Sequence, residues 1–282
     1  MTFRFKDHEW TFPRIRVMGV LNITPDSFFD GGRFLAPEAA LERSRRMVEE
    51  GADMIDVGGE STRPMAAKIP LQEELDRVLP VIRLVHRHLS VPLSIDTTKS
   101  DVARLAIAEG ALVINDVSGG RADPSILKVA VETQAGLILM HSRGDPRTMQ
   151  NLAEYRSVAG DVISELKAAI AAARTAGVAH DRIVVDPGFG FAKTAAQNLD
   201  LLGGLERFHA LGRPVLAGVS RKSFLGTIVN RQAGDRLAAS LAAQCLAALR
   251  GCGMIRTHDV RETVEMVKIL NAILAARPSD MA

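Results

Sequence analysis

Aromatic side chains are scarce, at 4% of 282 residues, which removes the stacking platforms on which single-stranded nucleic-acid binders depend. Neither sign of charge is in excess, since 35 Lys and Arg face 33 Asp and Glu for a formal net charge of +2. With no arginine-rich arm or basic block, the chain lacks an electrostatic footprint for nucleic acid. No apolar run approaches the roughly 20 residues that a membrane-spanning helix needs. Residues 1–10 scatter charges where a signal peptide would be apolar, so the expected location is cytoplasmic.

Cysteine is nearly absent. Cys245 and Cys252 lie in an Ala/Leu-rich stretch of helical character. Seven residues apart on one helix they would stand about 10 Å from each other, beyond disulfide reach. They are expected as small buried apolar residues in a reducing compartment. Several catalytic signatures are missing as well: Gly-x4-Gly-Lys-Ser/Thr, His-Glu-x-x-His and Gly-x-Ser-x-Gly do not occur. Gly188-x-Gly190 is followed by Lys193, where a dinucleotide fingerprint has a third small residue. An NTPase, a zinc protease, a serine hydrolase and a Rossmann enzyme are all disfavoured.

What is present is a regular alternation. Short apolar runs at 16–23, 54–58, 92–97, 112–117, 136–141, 182–186, 214–219 and 254–258 read as buried strands. Amphipathic segments at 37–50, 71–88, 100–109, 125–133, 153–176, 198–210, 236–250 and 261–276 read as helices. Gly51, Gly110, Gly136, Gly177 and Gly212 are placed as helix stops. Eight strand–helix units predict a single-domain α/β chain, a (β/α)8 TIM barrel over 14–282 with residues 1–13 as a short N-terminal cap. A doubly wound open sheet is the alternative architecture. The connections 22–36, 59–70 and 142–152, rich in Gly, Pro, Ser and Thr, are expected to act as lids.

Every predicted strand ends in polar residues: Asn22, Asp56, Asp96, Asn115 with Asp116, His141, Asp186, Ser220 with Lys222, and Arg256 with His258. The C-terminal end of a barrel's strands is where active sites are built, so these read as site residues. Arg63, Lys222, Arg256 and His258 suit an anion; the alternative for Arg256 and His258 is a salt bridge to a neighbouring carboxylate. Asn22 offers one neutral oxygen, able to complete the shell of an Mg²⁺ ion held mainly by a diphosphate. Asp96, Asn115 and Asp186 suit a heterocycle with parallel N–H donors, such as a pterin, and Phe189 offers it an apolar face. The basic strand-to-helix step Ser220-Arg-Lys-Ser223 suits an anion.

The chain resembles the dihydropteroate synthase family. The resemblance rests on Met18-Gly-Val-Leu-Asn-Ile-Thr-Pro-Asp-Ser-Phe28, Asp30-Gly-Gly32 and Asp56-Val-Gly-Gly-Glu-Ser-Thr-Arg-Pro64. It continues through Ser94-Ile-Asp-Thr97, Ile114-Asn-Asp-Val117, Asp186-Pro-Gly-Phe-Gly-Phe191, Ser220-Arg-Lys-Ser223 and Arg256-Thr-His-Asp259. It implies condensation of 6-hydroxymethyl-7,8-dihydropterin diphosphate with 4-aminobenzoate, with Mg²⁺ as cofactor and a homodimer as the working unit. By the same resemblance Asp96, Asn115, Asp186 and Lys222 hold the pterin, while Asn22, Arg63, Arg256 and His258 handle diphosphate and its metal. Thr62, Pro64, Phe28, Phe189 and Ser220 line the aminobenzoate pocket, and Asp186, Lys222, Arg256 and His258 are the catalytic set. Where relatives carry Gly, Met-Gln and Gly, this chain has Met65, Ser142-Arg143 and Ala192. Rival readings are a non-catalytic pterin-binding paralogue, a methyltetrahydrofolate–corrinoid methyltransferase and a Schiff-base aldolase acting through Lys222.

Overall fold

In a computed structural model of the chain, residues 1–24, 37–62, 66–145 and 147–276 are described. Strands β1 (Thr2–Phe5) and β2 (His8–Thr11) form an antiparallel hairpin with Phe3 opposite Trp10. The eight strands that follow are β3 (Arg16–Asn22), β4 (Met54–Gly58), β5 (Leu93–Asp96), β6 (Val113–Asp116), β7 (Gly136–Met140), β8 (Ile183–Asp186), β9 (Leu216–Ala217) and β10 (Met254–Thr257). They form one parallel sheet in the order β8-β7-β6-β5-β4-β3-β10-β9. The ring is joined by a parallel bridge between Val185 and Val215, with Val185 N donating to Pro214 O at 3.0 Å. This is a (β/α)8 barrel.

The helices of the outer layer are α1 (Pro37–Glu49), α2 (Leu71–His88), α3 (Ser100–Ala108), α4 (Ser125–Thr133), α5 (Val158–Ala176), α6 (Ala195–Gly203), α7 (Ser223–Val229), α8 (Leu237–Leu249) and α9 (Val260–Ala275). Helix α2 shows why they form: Leu75, Val78, Val81, Ile82 and Val85 recur at helical spacing and are buried. Its first turn carries Glu73 and Glu74 and its last turn His86, Arg87 and His88, signs that complement the helix dipole.

Two helix starts that differ from expectation are set by caps, whereas the expected helix 198–210 gives way to a 3-10 helix at Leu205–Leu211 and α7 is not among the expected helices. Helix α5 starts at Val158 because the Ser157 hydroxyl accepts from Gly160 N. Helix α6 starts at Ala195 because Thr194 and Gln197 form a capping box. Gly51, Gly110, Gly177 and Gly212 do adopt positive φ, but Gly136 does not. It opens β7, and a Cβ there would lie 2.5 Å from the Phe3 ring; Gln134, at φ 55°, ends α4 instead. Cys245 lies in α8 and Cys252 beyond its end, both free.

Strand parity sorts the interior. Odd-even alternation sends Val17, Leu21, Ile55, Val57, Leu93 and Ile95 outward against the helices. The inward set at the N-terminal end is Met18, Met54, Val113, Ile138, Val184, Leu216 and Met254, packed on Phe3, Phe5 and Trp10 of the hairpin. The barrel floor is thus a sealed apolar plug.

Candidate active site

Further along the same strands, the inward parity changes chemistry. Asn22, Asp56, Asp96, Asn115, Asp186 and Arg256 continue the rows begun by the apolar floor. The sheet register places Asn22 beside Gly58, Gly58 beside Asp96 and Asp96 beside Asn115, so these stand on one rung. Gly58 leaves that rung open, since a Cβ there would approach Asp96 and the Asn22 side chain.

Arg256 ties the ring together. Its Nε donates to Asp56 Oδ2 and its Nη2 to Asp96 Oδ2, each at 2.7 Å. Asp56 Oδ2 also accepts from Asn115 Nδ2 at 2.9 Å, while the buried Oδ1 has no hydrogen-bond partner among the described residues. Burial favours the neutral form of Asp96 and, opposed by Arg256 and reinforced by Asp56, raises it to about 7. Burial also lowers the tendency of Arg256 to stay charged, but Asp56 and Asp96 outweigh it and its pKa is raised. The salt-bridge alternative for Arg256 is therefore present in fact: the same guanidinium faces the cavity and rests on two carboxylates.

The rim above is cationic. Ser220 Oγ lies 3.1 Å from His258 Nδ1 and accepts from His258 N at 3.2 Å. The two side chains are thereby locked together, with Nε2 left as the ring nitrogen not engaged by Ser220. Burial, then Arg256 and Arg221, push His258 down to about 3, so the ring is neutral at neutral pH. Lys222 Nζ sits 4.2 Å from the centroid of Phe191, a cation–π contact. Burial and Arg256 lower Lys222 to about 8, against the pull of Asp186 and Asp96. Asp186 is raised by burial, although Gly188 N donates to its Oδ1 at 2.7 Å and Lys222 and Arg256 oppose the rise.

A cavity of about 470 Å³ opens on this ring. It is lined by Asn22, Thr62, Asp96, Ser220, Lys222, Arg256 and His258 among the predicted residues. Asn115 and Asp186 form the buried layer behind it, through Asp56 and through Lys222 and Arg256 respectively. Phe189 is the correction. It is 1% exposed and packs in the core between barrel and helices, and Phe191 is the aromatic residue that lines the cavity. Gly188 and Gly190, at φ 71° and 81°, break strand parity after Asp186, so alternation does not carry across the turn. Phe28, Arg63 and Pro64, with Met65, lie outside the described residues, as do most of the first expected lid and part of the second.

Sequence reasoning assigned no role to Met149, Glu60 or Arg236, which also line the cavity. Glu60 had a signal, as it falls inside a family motif; its Oε2 accepts from Lys99 Nζ at 2.6 Å, and Lys99 also bonds the fully buried Glu74. Met149 had none, being one methionine in a polar loop.

The sequence profile of the pterin binding enzyme family matches residues 18–258. A dihydropteroate synthase of Synechocystis is 44% identical over 92% of this chain and 90% of its own length. One of Escherichia coli is 42% identical over 93% and 92%. The chain belongs to the dihydropteroate synthase family of pterin-binding enzymes. Its fold is shared with the dihydropteroate synthase of Xanthomonas albilineans solved with 4-aminobenzoic acid, at a TM-score of 0.92 and 43% identity over 98% of this chain and 99% of that one. The same enzyme has been solved in complex with 7,8-dihydropteroate, at a TM-score of 0.89 and 40% identity over 99% and 100%.

Proposed function

We propose that the chain condenses 6-hydroxymethyl-7,8-dihydropterin diphosphate with 4-aminobenzoate, giving 7,8-dihydropteroate and diphosphate. The observation that carries this reading is Arg256, seated on Asp56 and Asp96 while lining one cavity with Asn22, Lys222 and His258. A flat ring with parallel N–H donors meets the carboxylates Asp96 and Asp186 and the Asn115 amide at the inner end. Its diphosphate then points to Arg256 and His258 at the rim. Loss of diphosphate leaves positive charge delocalised into the pterin, and a buried carboxylate beneath it stabilises that charge far better than water does. Arg256 and His258 stabilise the departing oxyanions. The arylamine is already nucleophilic, so the attack needs no side-chain nucleophile. Thr62, Ser220 and Phe191 line the side from which aminobenzoate approaches.

The donor set limits how a metal is held. Among the described residues no group of three His, Cys, Asp or Glu is placed to hold an ion. The described donors suit an ion that arrives on the diphosphate, with the Asn22 carboxamide oxygen completing its shell. When bound, Mg²⁺ would neutralise charge on the leaving diphosphate. Among the described residues no helix is long and apolar enough to cross a membrane. The unpaired Cys245 and Cys252 suit the reducing cytoplasm. We also infer a homodimer, with Ile269 and Ile273, 64% and 58% exposed on α9, as apolar surface for a second copy. Sedimentation at micromolar concentration checks that part.

The test is diphosphate release measured with and without 4-aminobenzoate. Release that depends on 4-aminobenzoate and matches dihydropteroate mole for mole is expected. Release that ignores 4-aminobenzoate, or none at all, overturns the reading.

A further inference from the structure

Behind the cavity, the turn after β8 is fixed by a buried chain of ionisable groups that the proposed reaction leaves unused. Lys193 is 3% exposed and His141 fully buried. Lys193 Nζ contacts Gly188 O at 2.9 Å, Phe191 O at 3.0 Å and His141 Nδ1 at 3.0 Å. His141 Nε2 lies 3.1 Å from Glu165 Oε2, on α5, and Glu165 Oε1 accepts from Arg143 Nε at 3.0 Å. Other groups hold the rest of the turn: Gly190 N donates to Asn198 Oδ1 at 2.7 Å, and the Tyr155 hydroxyl to Ala192 O at 2.9 Å. The turn needs such restraint. Ala192 sits at φ 48°, a conformation an L-residue adopts at a cost of about 1 kcal/mol, and a Cβ on Gly188 would stand 1.8 Å from His141 O.

The hydrogen-bond partners decide which atoms of this chain carry protons. Glu165 is held well below the usual carboxylate range, at about 2, first by its hydrogen bond to His141, with that to Arg143 adding to the effect. As a carboxylate it only accepts, so His141 Nε2 carries the ring proton and Nδ1 is an acceptor. The two carbonyls also only accept. Lys193 must therefore supply three donors, which requires the ammonium. Neutral lysine would leave its lone pair facing one of these three acceptors.

We propose that Lys193 is a positioning residue for the reaction: gripped by Gly188 O, Phe191 O and His141 Nδ1, it fixes turn 187–192 so that Asp186 and Phe191 are aimed at the substrate. Two bonds link it to the cavity. The Gly188 N–H it steadies donates to Asp186 Oδ1, and the Phe191 ring it steadies lies against Lys222. Its charge acts as well. The charged groups facing Asp186 are Lys193 from the turn, Lys222 from the segment before α7 and Arg256 from β10, the last shared with Asp56 and Asp96. Removing one of three cations raises Asp186, so the form able to accept from the pterin is lost at higher pH. The proposal rests on the functional reading above, in which Asp186 meets the pterin.

The test is Lys193→Met in the full chain. Its kcat/KM for the pterin diphosphate is expected to fall about 100-fold, the scale of a misplaced contact. The acid limb of its pH profile should move up by about half a unit or more, which simple loosening would not do. Amide exchange in 187–192 should quicken at least about tenfold while β8 is unchanged. A folded variant with kcat/KM within about twofold of the parent and an unmoved acid limb overturns the proposal. If Lys193→Met shows no cooperative melt, Glu165→Gln carries the test, since Glu165 is half-buried at the outer end of the chain. With its carbonyl oxygen kept by Arg143, the glutamine amide turns its N–H to Nε2, moves the ring proton to Nδ1 and removes the acceptor for Lys193. Lys193, faced by Asp186, Lys222, Glu165 and Arg143, is already lowered by burial to about 7. The alkaline limb should then shift to lower pH, and an unmoved limb counts against the proposal. A parent enzyme that makes no dihydropteroate sinks the functional reading instead, and the exchange measurement still reports on the turn.

Discussion

The two ends of the barrel share their strands and their inward parity, and differ in everything else. At the floor, Met18, Met54 and Met254 point inward and meet Phe3, Phe5 and Trp10. One pleat period later, the same strands present Val20, Asp56 and Arg256. The floor excludes water with side chains that gain about 25 cal/mol for each Å² they bury. The rim buries charges that are tolerable only in mutual contact, as Arg256 with Asp56 and Asp96 shows. One end is packed to hold shape and the other is held taut to hold charge, so their substitutions should separate stability from chemistry.

The largest effect belongs to the rim. Arg256→Ala removes the cation shared by two buried carboxylates and, on the proposed reading, one partner of the diphosphate. A fall in kcat/KM of about 10³-fold is expected, the upper range for loss of one preorganised donor. Steady-state kinetics within tenfold of the parent would detach Arg256 from the reaction. Next comes the floor. Phe3→Ala should cost about 3–5 kcal/mol in denaturant unfolding and leave kcat at 25 °C unaltered. A lowered kcat with an intact melt would show that the two ends are not separable.

A titration sharpens the contrast. Asp96 is raised to about 7, chiefly by burial, above the roughly 3.9 of an unfolded chain. Such a group favours the folded state while protonated. Its contribution is full below about pH 4 and lost as pH rises through about 7. Asp96→Asn should therefore gain on the parent in Tm between those limits, even as pterin binding is lost. A gap in Tm that stays constant over that range would place Asp96 outside the buried ring. The smallest effect is at Ala192. Ala192→Gly relieves the positive φ but gives up a buried methyl against Met140, Met149 and Phe191. These oppose each other, and the net should lie within about 0.5 kcal/mol, with kcat within about twofold.

Sequence and structure agree where a local rule governs. Strand cores, the eight-fold alternation and the inward polar set from Asn22 to Arg256 follow from apolar runs and period-two spacing, and both were legible. Rules of short range failed where the backbone leaves regular geometry. Phe189 and Phe191 are interchangeable on paper, and only the glycine turn at Gly188 and Gly190 decides which one faces the cavity. Long-range pairing was equally hidden. Asp56 was visible as a strand end, yet its bond to Arg256 joins residues 200 apart in sequence, and only barrel closure brings them together. The Lys193–His141–Glu165 chain is hidden in the sequence for the same reason, as it links the end of β7, α5 and the turn after β8.

The most direct measurement is a crystal structure of the chain soaked with 6-hydroxymethyl-7,8-dihydropterin diphosphate. The heterocycle should lie within hydrogen-bond reach of Asp96, Asn115 and Asp186, with its diphosphate on Arg256 and His258. Density for the ligand elsewhere, for example in the groove outside the barrel between Arg121 and Glu165, with the ring of polar side chains untouched, would contradict the account.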